Sequence, residues 1–512
     1  MKNIVKYIAL SIGLILTASS CSDFLEESPS DSKYVNESIK NLQGAETALN
    51  GVYHLMAYST SYGRDMTIYG DYKGGDFGLT TTGIAGDALY FFTHTTSSGS
   101  SSGSTFWTQG YKILQQTNNI IESIELGKVV VSTEADQTAL NNVHAQALAI
   151  RALVHFDLTR LYGYPYSKDK GAGLGVPIVT KVLPSGEKPK RNTVAECYTR
   201  VITDLTDALL LYDEPATKKN GRIYYYGAKA LLARVYLYKH DWENAYSAAK
   251  DVIDNGGYTA YTAASWVDSW AKQGGTESIF ELLVLPNESD LGRTSPRAYF
   301  APRNMGELNK RNELGPIMVS DQFLEMFKLP PHDTDARWGI FGLDEFGNGQ
   351  NTGSRLIPGR KGWLMKYEGD GKNPASAVNI KIIRLTEVLM VGAEAALKKN
   401  TKDVDSAVEW INKVRSRNAA LADLTTSEPE ANLLAEIELQ RRIDLIGEGH
   451  RFFDVLRNGG TVHYTDGGVF PSLQNGGRGS TVDWDFNKIV LPIFIDELNI
   501  NPNIRDQQNP GY

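Results

Sequence analysis

The sequence predicts a mostly α-helical protein, in which paired helices stack into a scaffold and loop-rich inserts interrupt it. Three observations carry this. Apolar residues recur at spacings of three and four along much of the chain. Two segments share one finer offset: Ala233 and Ala245 are twelve apart and precede Ala249 and Val252, and Ala395 and Ala407 are twelve apart and precede Ile411 and Val414. Elsewhere, stretches rich in Gly, Pro, Ser and aromatic residues break the helical period.

The first twenty residues read as a signal peptide. Lys2 and Lys6 give a positive start, Ile8 to Leu16 is a short apolar stretch, and Thr17-Ala18-Ser19-Ser20 leads into Cys21. The apolar stretch falls short of the ~20 residues that span a bilayer, and no later segment reaches that length without charges. Leu16 to Cys21 resembles a bacterial lipobox, departing from it at Ala18, where Leu is usual. The resemblance implies cleavage before Cys21 and acylation of that cysteine; two or more acyl chains anchor a protein stably, one only marginally. Ser22 to Lys33, polar and containing Pro29, reads as a flexible tether within residues 21–33.

Beyond the tether, residues 34–512 read as one domain. The scaffold is expected at about 34–58, 107–255 and 381–460, and the inserts at about 59–106, 256–380 and 461–487. Ile150, Val154, Leu158 and Leu161 mark one face of a long helix from about Glu134 to Leu161. Val194, Val201, Leu205 and Ala208 mark the next, with Cys197 beside the stripe as a small buried hydrophobe. Small residues at the twelve-residue offset let antiparallel helices approach closely. Leu232 and Tyr236 also fit the tetratricopeptide pattern, whereas Glu394 and Lys398 at the equivalent places fit it less well. Tyr58 to Phe106, Lys168 to Arg191, Gly256 to Ile380 and Thr461 to Asn487 are read as irregular.

Charge and chemistry exclude several classes. The 512 residues carry 52 Lys+Arg against 60 Asp+Glu, a net charge of -8, which disfavours a nucleic-acid partner. Two cysteines, one of them the predicted anchor, rule out a disulfide framework. Gly99-Ser100-Ser101-Ser102-Gly103 matches a nucleophile-elbow pattern but sits in a Ser/Gly-rich stretch with no strand–turn–helix context. His144 and His155 share a helix face but lie ~16 Å apart along it, too far for one metal. Asp344, Asn348 and Gly349, and Asp483, Asp485 and Asn487, lack the full spacing of a calcium loop. No catalytic set, cofactor motif or metal site is predicted.

Several runs together resemble the SusD/RagB family of outer-membrane nutrient-binding lipoproteins of Bacteroidota. They are Cys21-Ser22-Asp23-Phe24-Leu25-Glu26; Arg151-Ala152-Leu153 with His155-Phe156-Asp157-Leu158 and Arg160 to Tyr166; Ala228 to Tyr236; and Arg384 to Leu389 with Ala393-Glu394-Ala395. Asn412 to Arg415, Arg441 to Leu445 with Glu448 to Asp454, and the ending Asn501-Pro502-Asn503 with Gln508 to Tyr512 continue the likeness. The resemblance implies a tetratricopeptide-like scaffold with a loop-rich, mixed region that binds ligand. It also implies a lipid anchor in the outer membrane, facing outward, and a SusC-like TonB-dependent transporter as partner. Its ligands are usually glycans and for some members peptides.

Aromatic residues in the inserts supply the candidate site. A sugar ring stacks its C–H face on an aromatic ring while polar neighbours bind its hydroxyls. Tyr72, Phe77, Tyr299, Trp338 and Trp363 are the candidate rings because they lie in inserts, with Arg64, Asp71 and Asp335 as polar neighbours in sequence. For any single ring, packing the insert onto the scaffold is the commoner role. Trp107 and Trp270 adjoin helix-like segments and read as structural. A glycan binder is favoured over a peptide binder, and both over a surface hydrolase, because nothing in the spacing of the acids selects a catalytic pair.

Overall fold

A computed structural model describes residues 39–79, 101–213, 221–284, 295–300, 317–326, 332–343, 361–367, 379–464 and 481–512. The expected signal peptide, Cys21, the tether, and Asp344, Asn348 and Gly349 lie outside the described residues.

The helices follow the predicted order. α1 (Leu42–Met56) and α2 (Asp65–Tyr72) precede the long α3 (Ser101–Glu125) and α4 (Glu134–Tyr162). A short α5 (Tyr166–Asp169) leads to α6 (Val194–Leu211), α7 (Tyr225–Lys239) and α8 (Trp242–Asn255). α9 (Ala263–Ser269), α10 (Pro296–Phe300) and α11 (Asp321–Glu325) are short pieces of the central insert. α12 (Leu385–Lys398), α13 (Val404–Arg415), α14 (Glu430–Asp444), α15 (Arg451–Arg457) and α16 (Ile495–Ile500) complete the chain. The long helices form a continuous stack: α3 on α4, α4 on α6, α6 on α7, α7 on α8, α8 on α12, and α12 on both α13 and α14.

The reason lies in side-chain size. Ala233, Ala245, Ala249, Ala395 and Ala407 are all fully buried between helices. Each second helix starts at a side-chain cap four residues before its alanine: Asp241 accepts from the Asn244 N–H and Asp403 from the Ser406 N–H. A β-carbon on Gly392 would lie 2.8 Å from the Trp410 ring and 3.3 Å from Ala249 Cβ, so only glycine lets α12 lie against both α8 and α13. α4 is buried on nearly every side from Ala145 to Leu158, which suits a helix central to the stack. Thr193 and Glu196 form a reciprocal capping box at the start of α6. Cys197 is fully buried, its Sγ 3.5 Å from the Val176 carbonyl oxygen.

Four two-stranded antiparallel sheets occur among the described residues. β1 (Phe77–Leu79) pairs with β3 (Ile317–Val319), and β4 (Phe341–Leu343) with β5 (Lys361–Leu364). β7 (Thr461–His463) pairs with β8 (Thr481–Asp483). β2 (Ser278–Leu282) pairs with β6 (Ile380–Arg384), with Ser278 opposite Arg384 and Leu282 opposite Ile380. The central insert therefore leaves and rejoins the scaffold at one place.

Parts of the stretches read as irregular are helical, among them the short α9, α10 and α11 of the central insert. α2 falls inside Tyr58 to Phe106 and shows no stripe, because it is buried on all faces from Thr67 to Tyr72. α3 begins at Ser101, so the second half of the Ser/Gly run opens a helix rather than a loop.

Candidate functional site

The inserts converge into one layer. β1 of the first insert pairs with β3 of the second, and β3 packs on β5. Phe323 of α11 meets Phe341 of β4 at 5.8 Å between ring centroids. α10 links the two halves of the layer. It carries Phe300 to Phe77 (5.4 Å), Tyr72 (6.4 Å) and Tyr367 (5.7 Å, stacked), and it carries Tyr299 to Arg64. The Arg64 guanidinium lies 4.6 Å from the Tyr299 ring centroid, and its Nη1 donates to the Tyr299 hydroxyl at 3.0 Å.

Arg64, Tyr72, Phe77 and Tyr299, candidates chosen one by one from the inserts, come together as a packed core rather than an open platform. Tyr72, Phe77 and Trp363 are 0%, 1% and 1% exposed, and Tyr299 is also buried, so none offers a free face to a sugar ring. The physical reason is that the inserts have no amphipathic stripe with which to dock and so bury their own rings. Arg64 is spent on Tyr299 and on Asp65 at 2.6 Å. Asp71 is buried and accepts the Gly449 N–H; burial pushes its carboxyl up to about 8. Asp335 caps the turn before Trp338 and binds Arg337 at 2.7 Å, both fully buried side chains. Trp338 differs: it is half-buried, next to exposed Gly339, with its ring 5.7 Å from Phe341. It is the candidate ring that is not fully buried.

Sequence reasoning missed what holds this layer to the scaffold. Four cations, Arg337, Lys366, Arg384 and Arg417, meet four carboxyl groups, Glu277, Asp335, Asp444 and Glu448, all buried. Arg384 donates to Glu277 (2.9 Å), Asp444 (2.9 Å) and Glu448 (2.8 Å); Arg417 binds both Glu277 and Asp444 and donates to the Thr386 hydroxyl at 3.0 Å. Lys366, delivered by the residues after β5, reaches Glu448 and the Asp444 carbonyl oxygen at 2.7 Å each. Burial works against every charge here, but Arg384 and Lys366 hold the Glu448 carboxyl down at about 2. Arg417, Arg384 and Arg337 hold Asp444 well below the usual carboxylate range. Burial lowers Lys366 to about 8, against the pull of Glu448. The ring of Trp270, read as structural, lies 4.4 Å from Lys366 Nζ and 5.0 Å from the Arg384 guanidinium. The run Arg441 to Leu445 with Glu448, part of the family resemblance, was the available signal, since it supplies Asp444 and Glu448.

His155 is a satisfied core histidine. Its Nδ1 lies 3.0 Å from the Arg151 carbonyl oxygen, and its Nε2 accepts from the Val179 N–H at 3.1 Å. Among the described residues no group of three His, Cys, Asp or Glu side chains is placed to hold a metal ion. Asp483 instead accepts from the Thr461 hydroxyl at 2.6 Å, across the β7–β8 pair.

Comparison with known proteins settles the family. The SusD family model matches residues 335–512, and a second model, described as "Starch-binding associating with outer membrane", matches 23–237. A SusD superfamily protein from Bacteroides thetaiotaomicron is 33% identical, with a TM-score of 0.82, over 92% of this chain and 100% of that one. The chain belongs to the SusD family. A second superfamily member, from Bacteroides vulgatus, is 32% identical with a TM-score of 0.78, over 92% of this chain and 99% of its own. SusD-like protein P2 of Formosa agariphila is 24% identical over 99% of this chain and 100% of its own length. The two matches leave residues 238–334 between them, so α2 and β1 of the insert layer fall within the first and β4 and β5 within the second.

Proposed function

We propose that this SusD-family protein is a cell-surface binding lipoprotein that captures a glycan and passes it to a SusC-like TonB-dependent transporter in the outer membrane. The observation that carries the glycan class is the starch-binding, outer-membrane-associated family model over residues 23–237. The anchor is Cys21, at the end of the lipobox-like run. No helix among the described residues is long and apolar enough to cross a membrane, so a lipid is the fitting means of attachment. The ligand would meet the insert layer, where Trp338 is the stacking ring and Phe341, itself packed on Phe323, supports it. The reading is of binding without turnover: Glu277, Asp335, Asp444 and Glu448 are committed to arginine and lysine partners.

The test is a binding screen of the purified chain against soluble polysaccharides and, in parallel, protein digests. Saturable binding to a glycan, with no product released, is expected. Binding to peptides alone would favour the peptide-binding version of the module, and release of shortened sugars would mean a hydrolase. Cys21→Ser should move the protein out of the membrane fraction in cells lacking the transporter; persistence there would defeat the anchor assignment.

A further inference from the structure

A polar cleft of about 390 Å³ lies between α12, α14 and α15, with Asp71 of α2 on its wall. Apart from Asp71, none of the candidate ligand residues of the insert layer lines it. Five cationic side chains border it: Lys398, Arg441, Arg442, Arg451 and Arg457.

The local carboxyl groups do not use up the donors. Asp454 grips Arg441 through Nε (2.9 Å) and Nη2 (3.0 Å), and also takes Arg457 Nε at 2.8 Å. Glu394 takes both terminal nitrogens of Arg457 (2.9 and 2.7 Å) and Lys398 at 2.7 Å. Glu438 is largely exposed and binds Arg451 at 3.0 Å. With its carboxyl raised to about 8 by burial, Asp71 is mainly uncharged at neutral pH.

Two guanidinium nitrogens of the cleft are left over, Arg441 Nη1 and Arg451 Nε. Arg441 is 3% exposed, its fork is fixed by Asp454, and its Nη1 has no hydrogen-bond partner. His450, 7% exposed on the same cleft, has an unpartnered Nδ1. A buried guanidinium N–H without an acceptor is costly, and a cation held rigid by a carboxylate on its far side is preorganised for an incoming oxygen. Arg442 and Arg451 are part-exposed and bring positive charge to the same cleft.

We infer that this cleft binds a small oxyanion, a carboxylate or sulfate group, with Arg441 Nη1 as the fixed donor and Arg442 and Arg451 as the cations that draw it in. The group can belong to a free ion or to an acidic sugar. The inference stands on the cleft alone and does not depend on glycan capture by the insert layer.

The test uses the full chain, at fixed ionic strength, titrated calorimetrically with sodium sulfate, sodium glucuronate and glucose. Saturable one-to-one binding of sulfate and glucuronate, and none of glucose, is expected. Glucuronate at least tenfold tighter than sulfate identifies an acidic sugar as the source; equal affinity identifies the free ion. The Arg442→Gln, Arg451→Gln double variant should weaken binding at least tenfold. Because those changes also strip partners from Asp76, the wild-type chain with ¹⁵N-labelled arginine and histidine is titrated with sulfate and followed by NMR. Shifts at the Arg441 and His450 side chains support the site. No saturable binding, equal binding of glucose, or sulfate binding that leaves both side chains unshifted would overturn it.

Discussion

Gly70 and Gly449 meet backbone to backbone: a β-carbon on Gly70 would lie 2.6 Å from the Gly449 carbonyl carbon and 3.1 Å from its Cα. Gly449 also has a φ of +83°, and a β-carbon there would lie 2.6 Å from the Met66 carbonyl oxygen. The contact seats α2 on the turn before α15 and aims the Gly449 N–H at Asp71. Gly449→Ala combines a strained backbone with a clash against backbone, which cannot yield as a side chain can. It should cost at least ~1–3 kcal/mol, read as a lower urea midpoint. Gly51→Ala on the exposed side of α1, where nothing lies within 4 Å, should instead stabilise by about 0.5–1 kcal/mol.

The buried charges beneath the inserts should behave unlike surface pairs. Arg417→Met leaves Glu277 and Asp444 each short of a partner in a site sealed from water. A loss of about 3–5 kcal/mol is expected in urea unfolding. Lys402→Met removes an ion pair to Glu430 in which both side chains are more than two-fifths exposed, and should change stability by less than ~1 kcal/mol.

These groups should make stability fall on both sides of an acidic optimum, for different residues. Burial raises the folded-state pKa of Asp71 from 3.8 to about 8. Between those values the folded chain holds a proton that the unfolded chain has released, so this group's contribution declines as pH rises through that window. Glu394 and Glu448 are lowered from 4.5 to about 2 by Arg457 and Arg384. Their contribution is complete above pH 4.5 and disappears as pH falls towards 2. Asp71→Asn, which keeps an acceptor for the Gly449 N–H, should flatten the alkaline limb alone. Glu448→Gln should flatten the acid limb and lower stability at neutral pH. Melts of the three proteins from pH 3 to pH 9 check this.

Two tryptophans of the insert layer should separate support from contact. Trp363→Ala empties a buried site in β5 and should cost ~3–5 kcal/mol. Trp338→Ala, at a half-buried position, should leave the melting temperature within a few degrees and weaken glycan binding at least tenfold. Unchanged affinity with every bound glycan would remove Trp338 from the site.

The helical scaffold was legible because its information is local. Ala233 and Ala245, or Ala395 and Ala407, carry the packing distance in their own size, and Glu134 to Leu161 carries its helix in a three-and-four spacing. α2 was not legible, because a helix buried all round has no stripe to betray it. The candidate rings were picked singly by their place in the inserts, and their burial was not legible. Insert residues such as Tyr72 and Trp363 look available until the partners that cover them, Phe300 and the paired strand at Gly342, are brought in from elsewhere in the chain. Arg384 and Arg417 looked like any arginines, since a guanidinium's burial depends on acids more than a hundred positions away, such as Glu277.

The balance of four cations and four acids has a consequence for how the molecule assembles. Its members come from widely separated stretches between Glu277 and Glu448, on both sides of the central insert. Closing the cavity around an incomplete set would trap an uncompensated charge, so the site gains nothing until its last contributor arrives. That contributor in chain order is Glu448, just after α14. A growing polypeptide should therefore hold its insert layer open until the C-terminal third is present, then close it in a single cooperative step.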